Sequence, residues 1–169
     1  KGNELDKIEK SLKLIQHRGP DNQQIWANKN KEIIMAHARL SIIDLDFGSQ
    51  PFQDITNRYT IVFNGEIYNY KEIKETLNLK TRTNSDTEVL LLGYIRLKEN
   101  ILKLIKGMFS FCIWDNQEKT LLLARDRYGI KPLYYCNQGD IFLFASEQKA
   151  ILKHPSFLRE LNKKALLEY

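Results

Sequence analysis

Leu5, Ile8, Leu12 and Ile15 recur at intervals of three and four, the period that gathers side chains on one face of an α-helix, and predict an amphipathic helix over 4–16. His17-Arg18-Gly19-Pro20-Asp21 follows and ends it with turn chemistry. The pattern then shortens to strand length. Gln24 to Ala27 and Ile33 to His37 read as strands joined by an Asn-rich turn. Tyr59 to Phe63 is β-branched and aromatic and is expected to stop at Asn64-Gly65, a strong turn pair. Residues 70–77 read as helix. Ser85-Asp86-Thr87-Glu88 opens another through about Lys98, with either Ser85 or Asp86 able to cap it.

The second half is richer in strands. Met108 to Trp114, Thr120 to Ala124, Leu133 to Cys136 and Ile141 to Ala145 are separated by Asp115-Asn116, Tyr128-Gly129 and Gln138-Gly139-Asp140. Those spacers look like hairpin turns, so antiparallel pairing is expected. A short helix is expected over 147–153, before His154-Pro155. Strands with helices grouped between them predict an α+β fold whose sheets are covered by helices.

Composition narrows the class without naming a function. The 169 residues suit one domain with a core of useful size. No apolar run approaches the ~20 residues that a membrane span needs, so no membrane partner is expected. The net charge of +5 is spread among interspersed acidic and basic residues. The basic runs are short, as at Lys29 to Lys31 and Lys163 to Lys164. A dispersed excess of this kind solvates a surface, and no nucleic-acid partner is expected. Cys112 and Cys136 sit in apolar strand-like runs and read as buried thiols, not as a disulfide framework or nucleophiles. No CxxC or HxxxH spacing occurs, and no metal is expected.

More specific information lies in six ordered segments: HRGPD at His17 to Asp21, HARLSIID at His37 to Asp44, FNGEIYNY at Phe63 to Tyr70, NSDTEVLL at Asn84 to Leu91, ARDRYGIKPLYY at Ala124 to Tyr135 and FASEQKAIL at Phe144 to Leu152. In this order, and spread over most of the chain, they resemble the class II glutamine amidotransferases, and within these the glutaminase domains of glutamine-hydrolysing asparagine synthetases. The resemblance runs from about Leu5 to Tyr169.

It implies an N-terminal nucleophile hydrolase fold, a four-layer αββα sandwich of two antiparallel sheets. The implied division is an amidotransferase domain over 1–155 lacking its first strand, then, over 156–169, the start of a linker toward an ATP-dependent synthetase domain. The implied reaction is hydrolysis of glutamine to glutamate and ammonia, which the synthetase domain uses to make asparagine from aspartate and ATP. The family's nucleophile is a terminal cysteine, which would lie before Lys1. No cofactor is expected in this domain; ATP and Mg belong to the synthetase domain. The other implied partners are glutamine, the chain's own synthetase domain and a compatible homodimer, in a cytoplasmic setting. Two alternatives stay open: an amidotransferase with a different ammonia acceptor, and a non-catalytic scaffold.

The residues themselves suit a free amino acid bearing a side-chain amide. Arg39 offers a planar fork of donors for an α-carboxylate, although on residue type alone it is equally a surface ion-pair residue. The backbone of Leu40, Ser41, Ile42 and Ile43 is expected to line the same pocket. Asp86 and Glu66 are the candidates for the α-ammonium; Asp86 also fits a plain helix cap. Asn64 and Gly65 are the expected oxyanion hole, a side-chain NH₂ and a backbone N–H, against the simpler reading of a hairpin turn. His17 reads as a structural hydrogen-bonding residue and His37 as a strand residue. Arg125, Asp126 and Arg127 read as an ion-pair network.

Overall fold

The computed structural model describes residues 4–39, 49–160 and 167. In chain order the elements are α1 (Glu4–Leu14), β1 (Asn22–Ala27), β2 (Ile34–Arg39), β3 (Phe52–Gln53), β4 (Tyr59–Ile67), α2 (Tyr70–Thr76), α3 (Asp86–Leu97), β5 (Gly107–Asp115), β6 (Thr120–Arg125), β7 (Tyr134–Gln138), β8 (Ile141–Ala145) and α4 (Gln148–Leu152). Short 3₁₀ turns cover Gln16–Arg18 and Lys98–Lys103. The chain is α+β, and every strand pairing is antiparallel.

A four-stranded sheet in the order β3-β4-β5-β6 forms the centre, flanked by the two-stranded pairs β1-β2 and β7-β8. Strand alternation divides its side chains between two apolar clusters. Ile61, Phe63, Ile67, Phe109, Phe111 and Ile113 pack against Val89, Leu90, Leu91 and Ile73 of α3 and α2. Val62, Cys112 and Trp114 face the other way and pack with Met35 of β2, Trp26 of β1 and Phe144 of β8. The sheet is therefore buried on both faces, which explains the nearly continuous apolar run of β5.

Three expectations change. The predicted helix over 4–16 ends at Leu14 and tightens into the 3₁₀ turn at Gln16–Arg18. Asn64-Gly65 is not a turn: β4 runs straight through it to Ile67, with Gly65 opposite Phe109 and Ile67 opposite Gly107. The pairing tolerates glycine alone at position 65. A Cβ there would lie 2.2 Å from the Met108 carbonyl oxygen and 2.7 Å from Phe109 Cα. The pair thus marks a close backbone approach instead of a hairpin.

The third change concerns Tyr128-Gly129, which does not join a hairpin. β7 pairs with β8 and not with β6, so the segment after β6 carries the chain from one sheet to another. The carboxylate of Asp126 organises that segment, accepting from the backbone N–H groups of Tyr128, Ile130 and Lys131 and from Phe109 N–H on β5. Arg125 donates to the carbonyls of Lys131 and Gly129. The expected ion-pair network is replaced, at Arg125 and Asp126, by side chains that satisfy a loop's backbone.

Candidate active site

The outer edge of β4 is where the motifs meet. In an antiparallel pair, opposite residues either bond each other or both turn their backbone groups away. Phe109 spends its N–H on the Asp126 carboxylate and its carbonyl on Asp126 N–H, on the side of β5 remote from β4. Gly65, directly opposite, therefore turns its N–H and C=O to the outer edge of β4, as do Phe63 and Ile67 two residues to either side.

The neighbours on that edge have identifiable partners. Phe63 is held by the carboxamide of Gln50, which accepts from its N–H at 2.6 Å and donates to its carbonyl at 3.0 Å, as a paired strand would. His37 Nε2 donates to the same carbonyl at 3.1 Å. Ile67 N–H donates to Asp86 Oδ2 at 2.9 Å. Between them lies the N–H of Gly65.

Asn64 points to the sheet face away from α2 and α3. Its Nδ2 is buried without a hydrogen-bond partner, and so are His37 Nδ1 and Ser11 Oγ. All three residues line one cavity of about 160 Å³, enclosed by α1, β2, β4, β5, β8 and α4. Most of its other lining is apolar, including Leu12, Val62, Phe111 and Phe144. A buried amide donor without an acceptor costs about 1–3 kcal/mol, and three such unpartnered polar atoms gather at this one cavity.

Asp86 opens α3, but the cap is Ser85, whose hydroxyl accepts from Thr87 N–H at 3.0 Å. Asp86 is thereby released to reach β4. Burial, the largest influence, raises its pKa, and the nearby Glu66 carboxylate pushes in the same direction. Two acidic groups thus stand at one end of β4, with Glu66 exposed and Asp86 half-buried. Such a pair suits a cation better than it suits water alone.

Arg39 ends β2, where the HRGPD turn packs against it. A Cβ on Gly19 would lie 2.3 Å from the Ala38 carbonyl carbon and 2.4 Å from Arg39 N, so only glycine permits the approach. Asp21 N–H donates to the Arg39 carbonyl at 3.2 Å, closing the same turn on the strand end. His17 is structural, as expected: its Nε2 lies 2.8 Å from Glu147, which also binds Arg18 and Lys149. Leu40, Ser41, Ile42 and Ile43, expected to line the pocket, lie outside the described residues.

The structure thus brings Asn64, Gly65, Glu66 and Asp86 to one end of β4. It puts Arg39 on β2, the strand whose His37 contacts Phe63. Gln50 and Glu147 are parts of this framework that residue reasoning did not single out, and Asp126 was expected in a different role. Glu147 carried a signal, a lone acid in FASEQKAIL; Gln50 carried none. Cys112 does not fit a nucleophile's role. Cys112 is buried with its thiol 3.8 Å from Met35 Sδ, and burial pushes its pKa up strongly. Both cysteines are free thiols, and Cys136, expected to be buried, is only half-buried. No cluster of three or more metal-ligating side chains occurs among the described residues, and none of their helices is long and apolar enough to cross a membrane.

A family model described as a glutamine amidotransferase domain matches residues 1–169. The chain is 42% identical to a putative asparagine synthetase [glutamine-hydrolyzing] 2 of Methanocaldococcus jannaschii, over 94% of its own length and 33% of that protein. It is 35% identical to asparagine synthetase [glutamine-hydrolyzing] 3 of Bacillus subtilis, over 98% of its length and 27% of the relative. It is also 40% identical to amidase chry2 of Gibberella zeae, over 88% of its length and 22% of that protein. The chain spans about a fifth to a third of the length of the asparagine synthetases it matches.

Proposed function

The chain belongs to the glutamine amidotransferase domain family, and from that premise we propose that it is the glutaminase part of an asparagine synthetase, releasing ammonia from glutamine for a synthetase domain of the same polypeptide. The observation that carries this reading is the orphaned Nδ2 of Asn64, buried at the cavity wall next to the outward-turned N–H of Gly65.

The chemistry follows from the charges glutamine presents. Arg39 takes the α-carboxylate through its planar fork. Asp86 and Glu66 take the α-ammonium. Nucleophilic attack on the side-chain amide turns a neutral carbonyl into a tetrahedral oxyanion. Asn64 Nδ2 is a donor already desolvated and Gly65 N–H is held by the strand pairing, so neither needs much reorganisation when that charge appears. Collapse of the intermediate expels ammonia, and water then releases glutamate from the acyl-enzyme.

The nucleophile is assigned to a cysteine in a segment preceding Lys1, as the family resemblance implies; Cys112 is buried in apolar surroundings that push its thiol pKa up. Its own α-amine is the base, since an α-amino group titrates near ~7.7–8. The same segment supplies a first strand that runs through the cavity between β2 and β8. It joins β1-β2 and β7-β8 into a second sheet, giving a four-layer αββα sandwich. Such a strand would bring a donor to His37 Nδ1. Residues 1–155 form the amidotransferase domain, and 156–169 begin the linker to the synthetase domain. ATP and Mg belong to that synthetase domain, which works in the cytoplasm.

One finding favours a second reading of the acceptor. The similarity to a protein named as an amidase is comparable to that with the synthetases, so an acceptor other than aspartate is the alternative. The experiment is to incubate the full-length protein with glutamine, with and without aspartate and ATP. Glutamate release together with asparagine supports the proposal. Glutamate without asparagine selects another acceptor, and no glutamate at all sinks the glutaminase assignment.

A further inference from the structure

The chemistry above leaves His37, one of the cavity's buried polar side chains, without a task. His37 Nε2 lies 3.1 Å from the Phe63 carbonyl oxygen, and a carbonyl only accepts, so Nε2 carries the proton. Burial holds the imidazole pKa down to about 4, and the ring is therefore neutral near neutrality. In that tautomer Nδ1 is a bare acceptor, buried and unpartnered at the cavity wall.

The Phe63 carbonyl belongs to the peptide bond that enters Asn64. A peptide unit is planar, so fixing its oxygen fixes the plane and with it the direction in which Asn64 leaves the strand. Gln50 grips Phe63 from one side, at both N–H and C=O. His37 approaches the second lone pair of the same oxygen from β2. Two donors on one carbonyl exceed what strand pairing requires. Directly after it comes Asn64, whose buried amide donor is left open.

We propose that His37 is a positioning residue for glutamine hydrolysis: through Nε2–H to the Phe63 carbonyl it sets the Phe63–Asn64 peptide plane and aims the Asn64 side-chain donor at the oxyanion. The inference rests on the glutaminase reading above and deepens it. It also ties Arg39 and Asn64 together, because His37 and Arg39 are two residues apart on β2.

The test uses two variants of the full-length protein. His37→Leu keeps the volume roughly and removes the donor. His37→Gln keeps an N–H donor at a reach close to that of Nε2. A donor misplaced by about 1 Å costs on the order of 10²-fold in rate. His37→Leu should therefore lower glutaminase kcat by about 10- to 100-fold with KM for glutamine changed less than about 3-fold, and His37→Gln should recover most of the loss. An equal loss in both variants, or a rise in KM with kcat kept, overturns the role. Nitrogen-15 NMR of the imidazole provides a second arm that survives a folding failure of His37→Leu. A neutral Nε2–H tautomer supports the inference; an Nδ1–H tautomer, or a ring cationic at pH 6.5, overturns it. If the unaltered protein releases no glutamate, the glutaminase reading falls first and this role falls with it. Loss confined to the His37 variants without the stated pattern sinks the His37 role alone.

Discussion

Asp86 Oδ2 accepts the backbone N–H of Ile67 at 2.9 Å, tying the first turn of α3 to the end of β4 one residue after Glu66. The bond holds Asp86 at the site while its carboxylate remains above its ordinary pKa, chiefly through burial. The charge therefore disfavours folding, a cost that the proposed binding of an α-ammonium would explain.

Asp86→Asn separates those two effects. A raised carboxylate pKa means that the native state holds the proton more tightly, so this group costs stability as pH rises from the ordinary value of 3.8 through the raised one. Asparagine can still accept from Ile67 N–H but carries no charge. Thermal unfolding at pH 7 should show Asp86→Asn at least as stable as the native protein, with a smaller advantage at pH 4. Glutamine KM should rise by about 10- to 100-fold, the value of one charged hydrogen bond. A clear loss of stability at pH 7 would contradict this account.

Glu147 has the opposite sign. Hydrogen bonding to Lys149, with His17 and Arg18 adding to it, holds its pKa down to about 2. Its stabilisation is present above the ordinary value of 4.5 and is lost as pH falls toward 2. Glu147→Gln should flatten that part of the stability-pH curve. The effect should stay below about 1 kcal/mol, because the pairs are partly exposed and screened by salt. Urea unfolding across pH 2–6 would measure it.

Gly19→Ala should act at a distance from glutamine. The new Cβ meets backbone atoms of Ala38 and Arg39, at 2.3 Å for the nearest, and backbone does not yield as a flexible side chain would. A cost of about 1–3 kcal/mol in stability is expected from overpacking of this kind. Because the displaced segment ends in Arg39, glutamine KM should rise beyond what the loss of folded protein explains. Kinetics corrected for the folded fraction would check this.

These outcomes also show which parts of the site the residues announced. Period and turn chemistry found the helices and most strands, because apolar spacing and the turn residues that flank it are local properties of the chain. Asn64-Gly65 misled, since its turn propensity is a local statement. The close pairing of Gly65 with Phe109 is a tertiary one that only the opposite strand reveals. Asp126 misled for a related reason. Flanked by two arginines it looked like an ion-pair partner, yet its carboxylate satisfies four backbone N–H groups, three in the following loop and one on β5. Gln50 could not be found at all, because a side chain imitating a strand leaves no periodic trace.

The division of labour between Arg39 and Asn64 gives the sharpest prediction. Arg39 would hold a carboxylate whose charge is the same in the ground state and the transition state. Its loss should raise KM more than it lowers kcat. Asn64 meets a neutral carbonyl first and an oxyanion later, so its contribution grows along the reaction. Asn64→Ala should lower kcat by on the order of 10²–10³, with a smaller change in KM. The structure adds a stability criterion to this pair. Asn64 Nδ2 has no hydrogen bond to lose, and removing an unsatisfied buried donor relieves its desolvation cost. Asn64→Ala should therefore unfold within about 1 kcal/mol of the native protein, although the residue lies in the central strand of the core sheet. Denaturant melts and steady-state glutaminase kinetics on the same full-length variants would test both statements together. If Asn64→Ala were strongly destabilised while kcat survived, Asn64 would be a packing residue and the oxyanion hole would lie elsewhere.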